Sequence, residues 1–269
     1  MKRALIPLTV VLLFCASGFV GAQFNIPSIP NPFAPHTPSA PTSPGDIPVS
    51  GITDMVKGAS GISLQDELKI GGAVAVDIVA RNGGLVEDEA MTRRVAMIGK
   101  SLSNYCSRPE LNFRFGILNT DSINAFSAPG GYVFVTRGLY NSVQDDQQLA
   151  AVLAHEISHI TKRHALKIIS RNEFMKGLFS TGGAVANVSV FDNGIASISN
   201  TLMNKGFDPS TEYEADREGR ALASKAGYRH DALLDFLTQL YQTKGDSKAA
   251  FNTHPPLSHR IERLKKSST

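Results

Sequence analysis

The residues most suited to chemistry are His155-Glu156-Ile157-Ser158-His159. Two histidines four residues apart share one face of a helix, so both imidazoles can reach one ion. Glu156 projects beside them, where it can take a proton from a metal-bound water without being a ligand. A catalytic zinc site needs a third protein ligand and keeps one position open. His164 is nine residues from His155. At about 100° per residue it points to nearly the opposite face of a continuous helix. It therefore reads as a polar contact or a helix C-terminal charge. The long metzincin pattern is excluded, because the chain carries Lys162 and Ala165 where that pattern needs glycine and histidine.

Glu212-Tyr213-Glu214-Ala215-Asp216 offers a better third ligand. Glu212 and Asp216 are four apart and share a face, while Glu214 lies about 200° around. Glu212 would bind zinc. Asp216 would accept the ring N–H of a ligating histidine and fix its tautomer. The other reading is a solvated acidic helix start. The upstream histidine pair favours the site.

These residues need elements to hold them. Asp145 can cap a helix, with Gln148 at the third following position. Leu149, Val152, Leu153, Ile157 and Ile160 form its apolar stripe. A second helix should start at Ser210 or Thr211 and stop at Gly227. Further helices are expected from Ser63, over about 88–105, over about 231–242, and over about 258–265 after Pro255-Pro256. Phe113, Phe115 and Ile117 alternate with polar or small residues, which reads as a strand. The turn Pro129-Gly130-Gly131 precedes a second strand over 132–136. Residues 171–207 are rich in Gly, Ser and Asn and read as broken helices. Asp192 and Asn193 argue against a membrane span there.

The chain of 269 residues has a formal charge of +3, 14 prolines and two cysteines. Lys2-Arg3, an apolar run to Phe14 and Val20-Gly21-Ala22 have the layout of a signal peptide covering 1–22. Its removal takes two positive charges and leaves +1, so no phosphate-binding surface is indicated. Cys106 is then the only cysteine, and it reads as a small buried hydrophobe. Eight prolines crowd into 23–50. Proline fixes φ and removes donors, so 23–55 reads as an extended, coreless leader. The folded domain is expected over 56–269.

The HEISH motif, Arg163-His164, Glu212-x-x-Ala-Asp216, Asn124-Ala125-Phe126 with Pro129-Gly130-Gly131, and Thr253-His254-Pro255 together resemble the HtpX and CAAX prenyl protease family of gluzincin peptidases. The resemblance spans most of 63–264 and is closest to exported bacterial members without transmembrane helices. It implies a mainly helical α+β zincin-type domain with a small β-sheet. It implies His155, His159 and Glu212 as ligands of one Zn2+ per chain, with Glu156 as the catalytic carboxylate. It places His254 and Arg260 near the active site, where they could stabilise an oxyanion or cover the open zinc position. A surface histidine and a helix-capping arginine are equally open readings. By the same analogy Asn124, Ala125 and Phe126 lie along the cleft as an edge strand that pairs with substrate backbone, or else form a buried connection. One departure is Asp208-Pro209, where many members carry Ser-Arg.

The expected function is zinc-dependent endopeptidase activity on extended polypeptide, including misfolded envelope proteins, in the periplasm of a Gram-negative bacterium. Secretion or membrane association without a transmembrane domain is an alternative location. The alternative function is a zinc-stabilised, chaperone-like client-binding module. Glu156 argues against it, since a purely structural site has no use for that group. Nucleic acid is not an expected partner.

Overall fold

The computed structural model describes residues 62–171, 195–196, 198–246 and 253–266. The readings of 1–22 as signal peptide and 23–55 as leader, and most of the broken-helix stretch, lie outside these residues. Helix α1 spans Leu64–Arg81, and Ser63 caps it by accepting the Asp66 N–H at 3.1 Å. Helix α2, Glu89–Ser103, is capped by Asp88. Strands β1 (Arg114–Leu118), β2 (Ala125–Ala128) and β3 (Tyr132–Thr136) follow. Next come α3 (Arg137–Ser142), α4 (Asp146–Thr161) and α5 (His164–Arg171). A π-helical turn covers Thr201–Lys205. The last described helices are α6 (Pro209–Lys225), α7 (Ala232–Lys244) and α8 (Leu257–Lys266).

The fold is α+β and mainly helical, as expected. Helix α6 begins at Pro209 and not at Ser210 or Thr211. Proline at the first helical position gives up an N–H that has no intrahelical partner there. Strand β2 and helix α3 carry no periodic signal of their own. Each is too short, at four and six residues, to display a period.

The sheet has the order β1-β3-β2, which leaves β2 at an edge. Strand β3 runs parallel to β1 and antiparallel to β2. The β2–β3 turn uses Gly130 and Gly131 at φ 79° and 97°, backbone that side chains resist. Alternate residues of the strands feed two hydrophobic clusters. Phe115, Ile117, Ala125, Val133 and Val135 join the larger one with α2, α4 and α7. Leu118, Phe126, Ala128 and Phe134 join α1 in the smaller one. Period-two alternation thus lets one small sheet separate two cores.

Helix α4 is central. Every residue from Gln148 to Ile160 is buried. Asp145 caps it by accepting the Gln148 N–H at 2.9 Å. A helix buried all round should be apolar all round. His155, Glu156, Ser158 and His159 break that expectation and require polar partners. Among the described residues, no helix is long and apolar enough to cross a membrane.

Candidate metal centre

Helix α6 packs across α4 at the histidine pair. A Cβ on Gly219 would stand 2.9 Å from both Cα and N of His155, so glycine permits the close backbone approach. That approach delivers Glu212 and Asp216 to the two imidazoles. His155 and His159 face each other through Nε2 at 3.1 Å. Glu212 Oε2 lies 3.5 Å from His155 Nε2, and Oε1 lies 3.8 Å from His159 Nε2. The three residues are buried, and their candidate ligand atoms lie within 4.8 Å of one another.

This donor set fits a zinc ion. Two imidazole nitrogens and one carboxylate suit zinc, and the group converges on one point. Glu212 Oε1 and Glu156 Oε1 are buried without a hydrogen-bond partner among the described residues. Buried polar atoms rarely go unsatisfied, and an ion with its bound water would give both oxygens a partner.

The electrostatics are strongly coupled. Burial alone would lower the His155 pKa, but hydrogen bonds donated to Asp216 and Glu212 carry it up to about 9. Burial alone would raise Glu212, yet His254, His159 and His155 around it hold it well below the carboxylate range. His159 is pushed far down, first by burial and then by the neighbouring imidazoles.

Asp216 lies behind His155, with Oδ1 2.9 Å from Nδ1. Arg260 donates to both oxygens of Asp216, from Nη2 at 2.6 Å and from Nε at 3.0 Å. Arg260 is buried, and its Nη2 is 3.5 Å from His155 Nδ1. The structure therefore sets Arg260 against Asp216, on the Nδ1 side of His155. It is also no helix-capping surface arginine. Burial opposes the charges of both groups. The Arg260 guanidinium nevertheless keeps Asp216 well below the carboxylate range, and Asp216 keeps Arg260 above its ordinary value.

His254 lies on the open side. Its Nδ1 is 2.5 Å from Glu212 Oε2, and its ring centroid is 5.4 Å from that of His155. Ala125, Phe126 and Ser127 of the edge strand line the same cleft as Glu156, His159, Glu212 and His254. Asn124 precedes the strand and donates from its side-chain amide to Thr253 Oγ1 at 3.5 Å. Leu202, Gly206, Phe207 and Thr253 close the cleft from the other side. About 20 Å³ remains among the described residues, room for about one water.

His164 corrects the helical count. Helix α4 ends at Thr161 with Lys162 as its C-cap, and Arg163 takes φ 56°, a left-handed value. The chain turns, and His164 comes back to lie 2.9 Å, Nδ1 to Nδ1, from His159. The 100° rule assumes an unbroken helix, and the break carries no glycine that would announce it. Burial lowers the His164 pKa to about 4. Glu214, which turns away from the metal group as expected, reaches His164 instead. Cys106 is half-buried against the larger core, and burial pushes its thiol up.

A histidine pair on a buried helix, crossed by a glutamate helix and flanked by an edge strand, defines a zincin-type metallopeptidase domain. The chain belongs to peptidase family M48, whose profile matches residues 89–268. It is similar to the beta-barrel assembly-enhancing protease of Escherichia coli O157:H7, with 29% identity over 180 residues, 64% of this chain and 36% of that protein. It is 30% identical over 215 residues to the putative beta-barrel assembly-enhancing protease of Vibrio cholerae, covering 75% of this chain and 44% of that one. A mitochondrial metalloendopeptidase OMA1 from Bos taurus is 32% identical over 168 residues, 58% of this chain and 32% of the relative. The chain thus spans less than half the length of these relatives.

Proposed function

We propose that this chain is a zinc endopeptidase that cuts extended polypeptide in the cell envelope. The observation that carries the proposal is Glu156, whose buried carboxylate oxygen has no hydrogen-bond partner among the described residues and stands beside the convergent His155, His159 and Glu212 donors. A bound zinc ion would supply Lewis acidity, polarising the scissile carbonyl and acidifying the attacking water. His155, His159 and Glu212 would hold it. Glu156 accepts the proton of the attacking water and returns it to the leaving amine. Asp216 orients His155, and Arg260 acts through Asp216 as a positioning residue. The β2 edge from Ala125, led in by Asn124, offers backbone groups to an extended substrate, with Phe126 in the cleft wall.

His254 covers the open side through Glu212, so a substrate displaces it or uses it to stabilise the oxyanion. The nearly closed cleft means that the 202–207 and 253–254 segments give way before a polypeptide enters. A client-holding role without cleavage would leave Glu156 without a task. Export through a signal peptide at 1–22, and a leader over 23–55 ahead of the domain, would place the enzyme outside the cytoplasm. The names of the two bacterial relatives, which speak of beta-barrel assembly, agree with an envelope substrate.

The test is cleavage of unfolded casein by the full chain before and after chelation. Activity should vanish with the metal and return with zinc. Undiminished cleavage by the metal-free protein would refute the proposal.

A further inference from the structure

His159 and His164 meet through their Nδ1 atoms at 2.9 Å. We infer that His164 is a positioning residue for the metal centre, accepting the Nδ1–H of His159 and turning its own Nε2–H toward Glu214.

The proton assignment follows from the geometry. His159 Nε2 faces His155 Nε2 and Glu212, the side on which an ion would sit. A ligating nitrogen must be bare, so a neutral His159 carries its proton on Nδ1. Two facing ring nitrogens form a hydrogen bond only when one of them is bare, so His164 Nδ1 is the acceptor. Its proton then sits on Nε2, which lies 3.4 Å from Glu214 Oε2. Each nitrogen thus has one consistent role. His155 shows the same logic with a direct carboxylate, Asp216, on its Nδ1. Both metal-facing rings therefore end on a carboxylate, one directly and one through a second imidazole.

The surroundings hold this arrangement. Phe207 stacks on His159 with centroids 4.5 Å apart at 15°, and stands 5.8 Å from His164 at 62°. These contacts fix both ring planes. The left-handed Arg163 brings His164 back onto His159. A left-handed residue other than glycine is strained and persists only where its surroundings hold it. Arg163 Nη2 lies 3.5 Å from Glu67 Oε2, a fully buried carboxylate on α1, which ties the turn down.

The inference rests on the metal-centre reading, and zinc titration separates the two failures. The full chain is titrated with zinc in competition with a chromophoric chelator. His164→Phe keeps a packed ring and removes both nitrogens, so zinc affinity should fall roughly 10–100-fold. His164→Asn, whose amide oxygen can replace Nδ1 as acceptor, should recover part of that loss. Nitrogen NMR of the zinc-loaded wild type should show a protonated Nδ1 on His159 and a bare Nδ1 on His164, whether or not the variants fold. Wild-type affinity in His164→Phe, or the opposite tautomers, overturns the inference. A wild type that takes up no zinc overturns the metal-centre reading as well.

Discussion

Asp216 faces two demands, one from the His155 ring and one from the Arg260 guanidinium, with almost no solvent to help. Replacing it by asparagine keeps the shape and removes the charge. Asp216→Asn should weaken zinc binding roughly 10–100-fold, because the His155 tautomer is no longer fixed. It also removes the carboxylate charge that faces the buried Arg260 guanidinium, which should cost about 3–5 kcal/mol of stability. Chelator competition and urea unfolding read the two effects separately. The i, i+4 spacing made His155, His159, Glu212 and Asp216 legible, because all four sit in unbroken helical turns. His164 was not legible, since its position depends on one left-handed backbone angle at Arg163. Arg260 was legible as a neighbour of the site, but its direction was not. Only the packing of α8 turns it onto Asp216.

At the scale of elements, two close contacts decide where the site forms. The first is between α6 and α4 at Gly219. Gly219→Ala would push a methyl carbon into the His155 backbone and should destabilise the fold by about 1–3 kcal/mol through overpacking. Thermal melting would show it, with weaker zinc binding beside it. No change in either would mean that the helices are not this tightly crossed. The second contact joins α1, the β2–β3 turn and the end of α4. Glu67 accepts from Arg108 Nη1 at 2.7 Å and from the Gly130 N–H at 3.2 Å, and faces Arg163. Glu67→Ala removes the buried carboxylate these groups share, leaving Arg108 with Glu110 alone, and should cost about 1–3 kcal/mol. Urea unfolding would reveal it, and a loss below about 1 kcal/mol, the worth of an exposed pair, would contradict the assignment. The helix caps at Ser63 and Asp145 were legible because capping is a local matter of two or three residues. The Glu67 network joins positions far apart in sequence, and no local pattern announces it.

At the scale of the whole molecule, the metal should act as a clamp. Its donors come from α4 and α6, so an ion that binds only the folded chain stabilises the whole domain. Free zinc at about 1,000 times its dissociation constant should add about 4 kcal/mol. At about 2–4 °C per kcal/mol, melting should rise by roughly 8–16 °C over the chelated protein. Calorimetry with and without chelator measures this, and identical melting would show that no such clamp exists. The mainly helical α+β class was legible from periodicity and motif order. The closed cleft was not, because Leu202, Phe207 and Thr253 reach it from segments without a periodic signal.

The account turns on one carboxylate. The decisive measurement is zinc content and casein cleavage for wild type and Glu156→Gln side by side. The variant should hold one zinc per chain, as wild type does, while its cleavage rate falls roughly 10²–10⁴-fold. A zinc-loaded Glu156→Gln protein that cuts casein at the wild-type rate would contradict the account.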